Sequence, residues 1–364
     1  WYCAPVSGLN FFTNCITLRA TAGDRVGMKP NVETEPSAPW LINLDLSSAR
    51  TVKEGSNSLW SQQESGPGGG TLTFKVFGDV KAGAGASGRA GGAGPSVKID
   101  VTVNAPGLLL GRLVSHAMWE AGLAGATPTE PPVRIAADGE DLGAPRPGEP
   151  AGAVTGPVPG PFAVITTPLS AVLRRCNVDS QNLYAECLLK RTAYEVTQQP
   201  GSWATGSQVV TMRLTEKLGG EAQSIRIVDG SGMSRDNQVS PMVVARWLGA
   251  LQQDRALGSA FIASMARADD RESKVSRRFI DHRLHNTVYA KTGYIKNVVC
   301  LSGYVVTGRP GGDDGPGRTI AFSVLANDVG GNGAKVKDFQ EEVVMVIDKW
   351  LSRQSGGSGA ARAN

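Results

Sequence analysis

The chain has 364 residues, of which 37 are Lys or Arg and 33 are Asp or Glu, giving a net charge of +4 at pH 7. At about 150 residues per domain, this length predicts two domains, or one domain with a large insertion. The small net charge and the absence of long basic runs argue against nucleic-acid binding. No apolar stretch approaches the roughly 18 residues that a membrane span needs.

The chain begins with Trp1 rather than Met. We interpret this as a missing N-terminus, lost through processing, through truncation or in a partial record. A signal peptide would then lie outside the sequence.

The five cysteines allow two disulfide pairs, Cys3 with Cys15 and Cys176 with Cys187. We favour buried free thiols instead, because cysteine packs as a small hydrophobic residue and no Cys-x-x-Cys spacing occurs.

The first 155 residues read as a β-rich accessory insert. Alternating apolar residues predict strands over 14–20, 71–78 and 98–104, and a helix is expected over 108–121. The Gly/Ala/Ser tract at 81–95 predicts the loop of a hairpin between the last two strands. Residues 137–161 are rich in Pro and Gly and predict a linker.

Residues 156–354 predict a second domain that begins with two helices. Thr167 is expected as N-cap with Pro168 at the first helical position. The residues expected on the buried face of this helix are Leu169, Val172, Leu173 and Cys176. The next helix, over 182–190, should carry an ion pair between Glu186 and Lys190.

The rest of this domain predicts helices around an antiparallel sheet. A short strand is expected over 224–228, a helix from the N-cap Ser240 to about 251, and consecutive strands over 288–295, 298–307 and 318–327. A final helix is expected to bury one apolar side, made of Val336, Phe339, Val343, Val346, Ile347 and Trp350. Residues 355–364 are expected to be a disordered tail. The order of elements predicts an α+β fold with helices on both faces of the sheet.

Several patterns that suggest other chemistry fail on their context. The Gly-x-Gly-x-x-Gly match at 83–88 does not open a helix, so a dinucleotide site is not expected. His282 and His285 lack a third ligand at metal-binding spacing, so we predict no metal and no cofactor. With only three histidines, a Ser-His-Asp triad is also disfavoured.

Two short polar motifs remain as candidates for a site. Ser180-Gln181-Asn182 lies between two predicted helices, and Lys291-Thr292-Gly293 lies inside a predicted strand. A lysine in a half-buried strand needs a partner, and glycine lets another backbone approach. Together they suit binding of an extended peptide carboxylate by strand addition. Taken singly, Ser180 could simply cap a helix and Lys291 could protect a sheet edge.

These motifs resemble those of a known family. Residues 173–186 are similar to the second active-site motif region of the class C low-molecular-mass penicillin-binding proteins, the D-alanyl-D-alanine carboxypeptidase/endopeptidase family (peptidase family S13). Residues 228–241 resemble its Asp-Gly-Ser-Gly stretch, and residues 290–293 with 301–304 its third motif and next strand. Residues 4–10 and 14–15 resemble its accessory insert.

The resemblance implies three catalytic residues in this chain. Ser180 would relay a proton to the leaving amine, and Asn182 would hold a peptide carbonyl of the substrate. Lys291 would supply positive charge for the terminal carboxylate of the substrate and tune the proton pathway.

The resemblance also implies three substrate-binding residues on the predicted strand. The hydroxyl of Thr292 would hydrogen-bond the substrate carboxylate, and Gly293 would let the substrate lie against the strand. The backbone N–H of Tyr294 would be one oxyanion donor.

The family's nucleophile lies in a Ser-x-x-Lys motif, and no serine here is followed by lysine three residues later. We therefore expect a fragment, a separately supplied nucleophile or a non-catalytic relative, and the first is favoured by the non-Met start. The resemblance implies cleavage of D-Ala-D-Ala stem peptides of peptidoglycan through an acyl-enzyme, acylation by β-lactams, and a periplasmic or other extracytoplasmic location. The alternative is a peptidoglycan-binding scaffold of the same fold.

Overall fold

The computed structural model describes residues 4–8, 10–64, 71–82, 96–122, 166–307 and 317–356. The chain divides into two compact units, Trp1–Val164 and Ile165–Asn364. The predicted domain boundary after residue 155 and the linker over 137–161 lie outside the described residues, as does most of the predicted tail. These remain predictions.

The described part of the first unit contains six strands and one α-helix. Their bounds are β1 Cys15–Thr21, β2 Asn31–Glu35, β3 Ile42–Val52, β4 Trp60–Gln63, β5 Leu72–Lys81, β6 Val97–Thr102 and α1 Pro106–Glu120. The strands form two three-stranded sheets, with orders β2-β1-β6 and β3-β5-β4. The side chains of Leu18, Phe74 and Leu109 are almost completely buried in the core of this unit.

The sheet topology of the first unit corrects one prediction. β5 pairs with β3 and β4, whereas β6 pairs with β1, so the two strands are not the arms of one hairpin. β2, β3 and β4 were also not predicted. The strand β3 runs parallel to β5 with an irregular register between Asp45 and Ser48, which breaks the simple alternation that predicts a strand.

The second unit places one antiparallel sheet between helices. Its elements are α2 Leu169–Asn177, α3 Asn182–Thr197, α4 Trp203–Leu218, α5 Pro241–Gln253, α6 Gly258–Ala263, β7 Ala266–Arg267, β8 Thr287–Ile295, β9 Val298–Val306, β10 Thr319–Ala326 and α7 Gly333–Gly356. The strand order is β10-β9-β8-β7. Leu248 of α5 packs on one face, and Val344 of α7 belongs to the core on the other. The predicted α+β architecture is confirmed.

Local predictions at the start of this unit need correction. Pro168 is the N-cap of α2, one residue later than expected, and no side chain caps this helix. None of the residues of α2 is fully buried, and the side chain of Leu169 is 58% exposed. Among the described residues, nothing covers its first turn. Residues 224–228 form only one β-bridge, from Arg226 to Gln238.

The helix α7 buries only part of the predicted face: Ile347 packs against the core, and Val336 and Val343 are half-buried. Phe339, Val346 and Trp350 are each more than half exposed. The residues that face the sheet are Gln340, Val344, Asp348 and Leu351. Gln340 donates hydrogen bonds to backbone carbonyls of β9 and β10, and Asp348 accepts three from the segment before β8. Buried polar side chains need such partners, and on this side of the helix the sheet backbone supplies those of Gln340 and the segment before β8 those of Asp348.

The possible disulfide between Cys176 and Cys187 is not formed, because Cys176 is a free thiol; Cys15 is also a free thiol. None of the described helices combines the length and the apolarity needed to cross a bilayer.

Candidate functional site

The two motifs, 111 positions apart in the chain, meet through a direct hydrogen bond. The Nζ of Lys291 donates to the Oγ of Ser180 at 2.7 Å, and also to the backbone oxygen of Thr292 at 2.7 Å. The serine lies in the turn between α2 and α3, and the lysine lies in the middle of β8. The partner that a half-buried strand lysine requires is therefore the hydroxyl of the first motif.

The turn that carries Ser180 is held by contacts on its N-terminal side. Asn177 donates from Nδ2 to the Oγ of Ser264 at 2.8 Å, which fixes the end of α2 to the end of α6. Val178 packs against the core beneath the sheet. Ser180 itself has φ of +57°, a left-handed backbone conformation that is uncommon for a residue with a Cβ. The turn thus directs its hydroxyl to the lysine at a conformational cost.

Asn182 is the first residue of α3, two positions after Ser180. The N-cap of this helix is Gln181, so Ser180 does not act as the cap. Helix α3 therefore starts directly at the site, with Asn182 in its first turn.

One edge of β8 is open where the second motif lies. β7 pairs only with Tyr289 and Ala290, while β9 pairs along the whole of β8. Among the described residues, no strand continues this side of the sheet from Lys291 to Ile295. An edge of this kind presents backbone N–H and C=O groups that an extended peptide can pair with.

A side chain at position 293 would meet a close neighbour in the sheet. A Cβ at this position would lie 3.2 Å from the Cβ of its cross-strand partner Cys300, which is a tight contact. The next side chain, Tyr294, is 72% exposed. Thr292, Gly293 and Tyr294 together line a cavity of about 580 Å³.

The electrostatics of Lys291 are dominated by burial. Removal of the ammonium from water lowers its pKa, because the charged form loses hydration. The nearby Cys176 acts in the opposite direction, and the positive charge of Lys274 lowers the pKa further. Burial in turn raises the pKa of the Cys176 thiol, and Lys291 partly opposes that rise. Both hydrogen-bond partners of the ammonium are uncharged oxygens.

The Asp-Gly-Ser-Gly stretch forms a tight turn. Asp229 accepts hydrogen bonds from the backbone N–H of Gly232 and Ser234 and from the side chain of Asn237. Asn237 in turn accepts from the backbone N–H of Val228 at 2.8 Å. The carboxylate and the amide are thus used within the segment itself, as expected for a structural turn.

Glu186 corrects a prediction and adds a positioning residue. Instead of pairing with Lys190, its carboxylate accepts from the backbone N–H of Gly230 and Ser231 and from the Nε1 of Trp203. The ammonium of Lys190 lies over the ring of Trp203 at 3.6 Å. The helix that starts at the site is thereby tied to the Asp229 turn. In the sequence, the only feature that drew attention to Glu186 was its i, i+4 spacing to Lys190.

Two further residues at the site were not predicted as functional. Cys176 lies four residues before Ser180 and was expected only as part of a buried helix face. Lys274 lies in a charged segment between β7 and β8, where one exposed lysine gives no sequence signal. The described residues contain no group of three or more His, Cys, Asp or Glu side chains that could hold a metal ion.

Comparison with solved structures defines the class of fold. Two crystal structures of penicillin binding protein 4 (dacB) from Haemophilus influenzae, one of them complexed with a β-lactam, match with TM-scores of 0.59 and 0.60 at 15% sequence identity. They cover 93% and 94% of this chain, and 72% and 68% of those chains. The chain therefore has the penicillin-binding fold.

The family follows from the sequence itself. The model of the D-Ala-D-Ala carboxypeptidase 3 (S13) family matches residues 162–351, which is more than half of the chain. The chain belongs to this family. The match includes both motifs that meet at the site and all of the sheet of the second unit.

Three curated relatives carry matching names. "Penicillin-sensitive carboxypeptidase A" of Dictyostelium discoideum is 25% identical over 194 residues, which are 52% of this chain and 36% of that protein. "D-alanyl-D-alanine carboxypeptidase DacB" of Haemophilus influenzae is 28% identical, covering 45% of this chain and 32% of that protein. "D-alanyl-D-alanine carboxypeptidase" of Actinomadura sp. is 29% identical, covering 48% and 31%. The chain spans about a third of the length of these relatives.

Proposed function

We propose that the protein of which this chain forms part is a serine-type D-alanyl-D-alanine carboxypeptidase or endopeptidase that acts on peptidoglycan stem peptides. The observation that carries the proposal is the 2.7 Å hydrogen bond between Lys291 and Ser180 at an open strand edge. Family membership and the names of the relatives support the same activity.

In the proposed reaction, one proton is transferred to the leaving nitrogen when the amide bond breaks. A serine outside the residues of this sequence attacks the carbonyl carbon of the penultimate D-Ala; a C–O bond forms, and the amide C–N bond breaks. Ser180 accepts a hydrogen bond from Lys291, so its own proton can pass to the leaving nitrogen while the ammonium replaces it. The proton that the attacking serine loses then returns to Lys291, so no proton is gained or lost in the acylation step. Water then cleaves the ester and releases the shortened peptide.

Substrate binding is proposed along the open edge of β8. An extended peptide would pair with the backbone beyond Lys291, which places its terminal carboxylate near the hydroxyl of Thr292. Gly293 leaves room beside the strand, and the N–H of Tyr294 would donate to the oxyanion. Asn182 would donate to a substrate carbonyl. A β-lactam would acylate the same serine, and the substrate class implies an extracytoplasmic location.

A labelled-penicillin gel on the full-length gene product tests the proposal. We expect covalent labelling of the wild-type protein and a loss of more than about tenfold in labelling rate on Lys291→Ala or Ser180→Ala, because removing one transition-state donor costs about this much or more. Lys349→Ala is the matched control, since this exposed lysine on α7 is outside the site.

The same gel separates the enzyme from a non-catalytic scaffold. The scaffold remains the second candidate because no Ser-x-x-Lys motif occurs in this sequence. A folded, full-length protein that takes no label, but still binds a stem peptide, would overturn the enzyme and favour the scaffold. Sequencing the gene upstream of Trp1 for a Ser-x-x-Lys motif gives an independent test.

A further inference from the structure

The cavity beside β8 is lined by several cationic side chains: Lys274, Arg277, Arg278 and Lys337. Among these four, only Lys274 is a charge that acts on Lys291. Lys274 lines this cavity of about 580 Å³ together with Thr292, Gly293 and Tyr294. It comes from the segment between β7 and β8, which neither of the two recognised motifs includes. Lys274 therefore borders the same cavity as the proposed carboxylate-binding part of β8, whereas Ser180, Asn182 and Lys291 are not among the lining residues.

The backbone of Lys274 is fixed with respect to β8. The residues on either side of it, Ser273 and Val275, are only 2% and 1% exposed. The hydroxyl of Ser273 donates to the carbonyl of Arg267 at 2.6 Å. Arg267 lies on β7 and pairs with Tyr289 of β8. Although the side chain of Lys274 is exposed, the position of its backbone is fixed by a buried and hydrogen-bonded turn.

Lys291 does not have all three of its N–H donors available for a ligand carboxylate. An ammonium has three N–H donors, and two of those of Lys291 already point at Ser180 and at the carbonyl of Thr292. One donor is left, whereas a carboxylate offers about four acceptor sites. A ligand carboxylate at this edge thus needs further donors, and the hydroxyl of Thr292 supplies one.

The two lysines also place two positive charges close enough to act on each other. No ion pair to Lys274 or Lys291 occurs among the described residues, and the charge of Lys274 acts on Lys291. Of the acidic residues that line the cavity, Glu341 is paired with Arg278 at 2.7 Å. Asp281 and Asp338 line it as well, but neither contributes to the electrostatics of Lys291. Like charges held together favour binding of an anion between them.

We propose that Lys274 is a specificity-determining residue, a second cation that holds the terminal carboxylate of the ligand from the cavity side of Thr292. The ligand class is a peptide with a free α-carboxylate at its C-terminus. This inference rests on the proposed function, because it assigns a residue to the carboxylate of that substrate.

The test compares two peptides on the full-length gene product. The substrate is diacetyl-L-Lys-D-Ala-D-Ala, and the probe without charge is its C-terminal amide, used as an inhibitor of substrate hydrolysis. With Lys274→Gln, we expect the KM of the acid to rise about fivefold at unchanged kcat, the size of one partly exposed charge pair. The inhibition constant of the amide should stay unchanged, since it has no carboxylate to lose.

Two further variants keep the test independent of folding. Lys274→Arg retains the charge and should retain a KM near that of the wild type. Arg271→Gln removes a positive charge from the same segment outside the cavity lining and should leave both constants unchanged. Two results for Lys274→Gln would overturn the role of Lys274 while the proposed function stands. One is an unchanged KM for the acid, and the other is a KM that rises by the same factor as the inhibition constant of the amide. A wild-type protein that hydrolyses no peptide would overturn both.

Discussion

Ser180 has two properties that are not found together in an ordinary turn serine. Its backbone is left-handed with φ of +57°, and its hydroxyl accepts a hydrogen bond from a buried ammonium. Uncommon backbone conformations of this kind persist where surrounding contacts hold them, and they cluster at functional sites. The sequence predicted the residue and its neighbourhood, but hydrophobic periodicity contains no information on the sign of φ.

The strain at Ser180 can be measured with two variants that both lack the hydroxyl. Ser180→Gly should be more stable to unfolding than Ser180→Ala by about 1 kcal/mol, because only the Cβ of alanine is penalised at positive φ. Urea unfolding followed by circular dichroism gives the difference. Equal stability of the two variants, or a more stable alanine variant, would show that the turn is not strained.

At the scale of single elements, α7 shows how buried polar groups decide which side of a helix packs. Its apolar stripe predicted the buried side, yet Phe339 and Val346 are exposed, whereas Gln340 and Asp348 are completely buried. The carboxylate of Asp348 accepts from the backbone N–H of His285 and Asn286 at 3.0 and 2.8 Å. These bonds fix the rotation of the helix against the strand that carries Lys291.

We expect Asp348→Ala to lower the free energy of unfolding by about 2 kcal/mol, because backbone donors of the segment before β8 lose their acceptor. The matched control is Glu342→Ala on the same helix, where the side chain is exposed and a change within about 0.5 kcal/mol is expected. Chemical denaturation of both variants supplies the comparison. A loss of similar size in the two variants would contradict the anchoring role of Asp348.

At the scale of the whole molecule, the two units have separate cores. The core of the first contains Leu18 and Phe74, and that of the second contains Val305 and Val344. The described hydrophobic clusters each lie within one unit. Packing defects in one core should therefore remain local to its own unit.

Leu18→Ala tests this independence. Removal of this fully buried side chain should destabilise the first unit by about 3 kcal/mol or more, through lost burial and the resulting cavity. Hydrogen exchange read by mass spectrometry should show lost protection in β1, β5 and β6, with protection in β8 and β9 unchanged. Loss of protection in both sets of strands to the same extent would mean that the chain unfolds as one unit.

The sequence by itself determined the α+β class, the three consecutive strands β8, β9 and β10, the N-cap Ser240, and the family through its motifs. These features depend on neighbours within a few residues, where periodicity and capping act directly. Only the tertiary structure decided that Lys291 reaches Ser180, that β8 has an open edge, that β5 and β6 lie in different sheets, and that Lys274 lines the same cavity. Those outcomes depend on contacts between distant segments, and an exposed lysine or a strand order leaves no trace in local sequence.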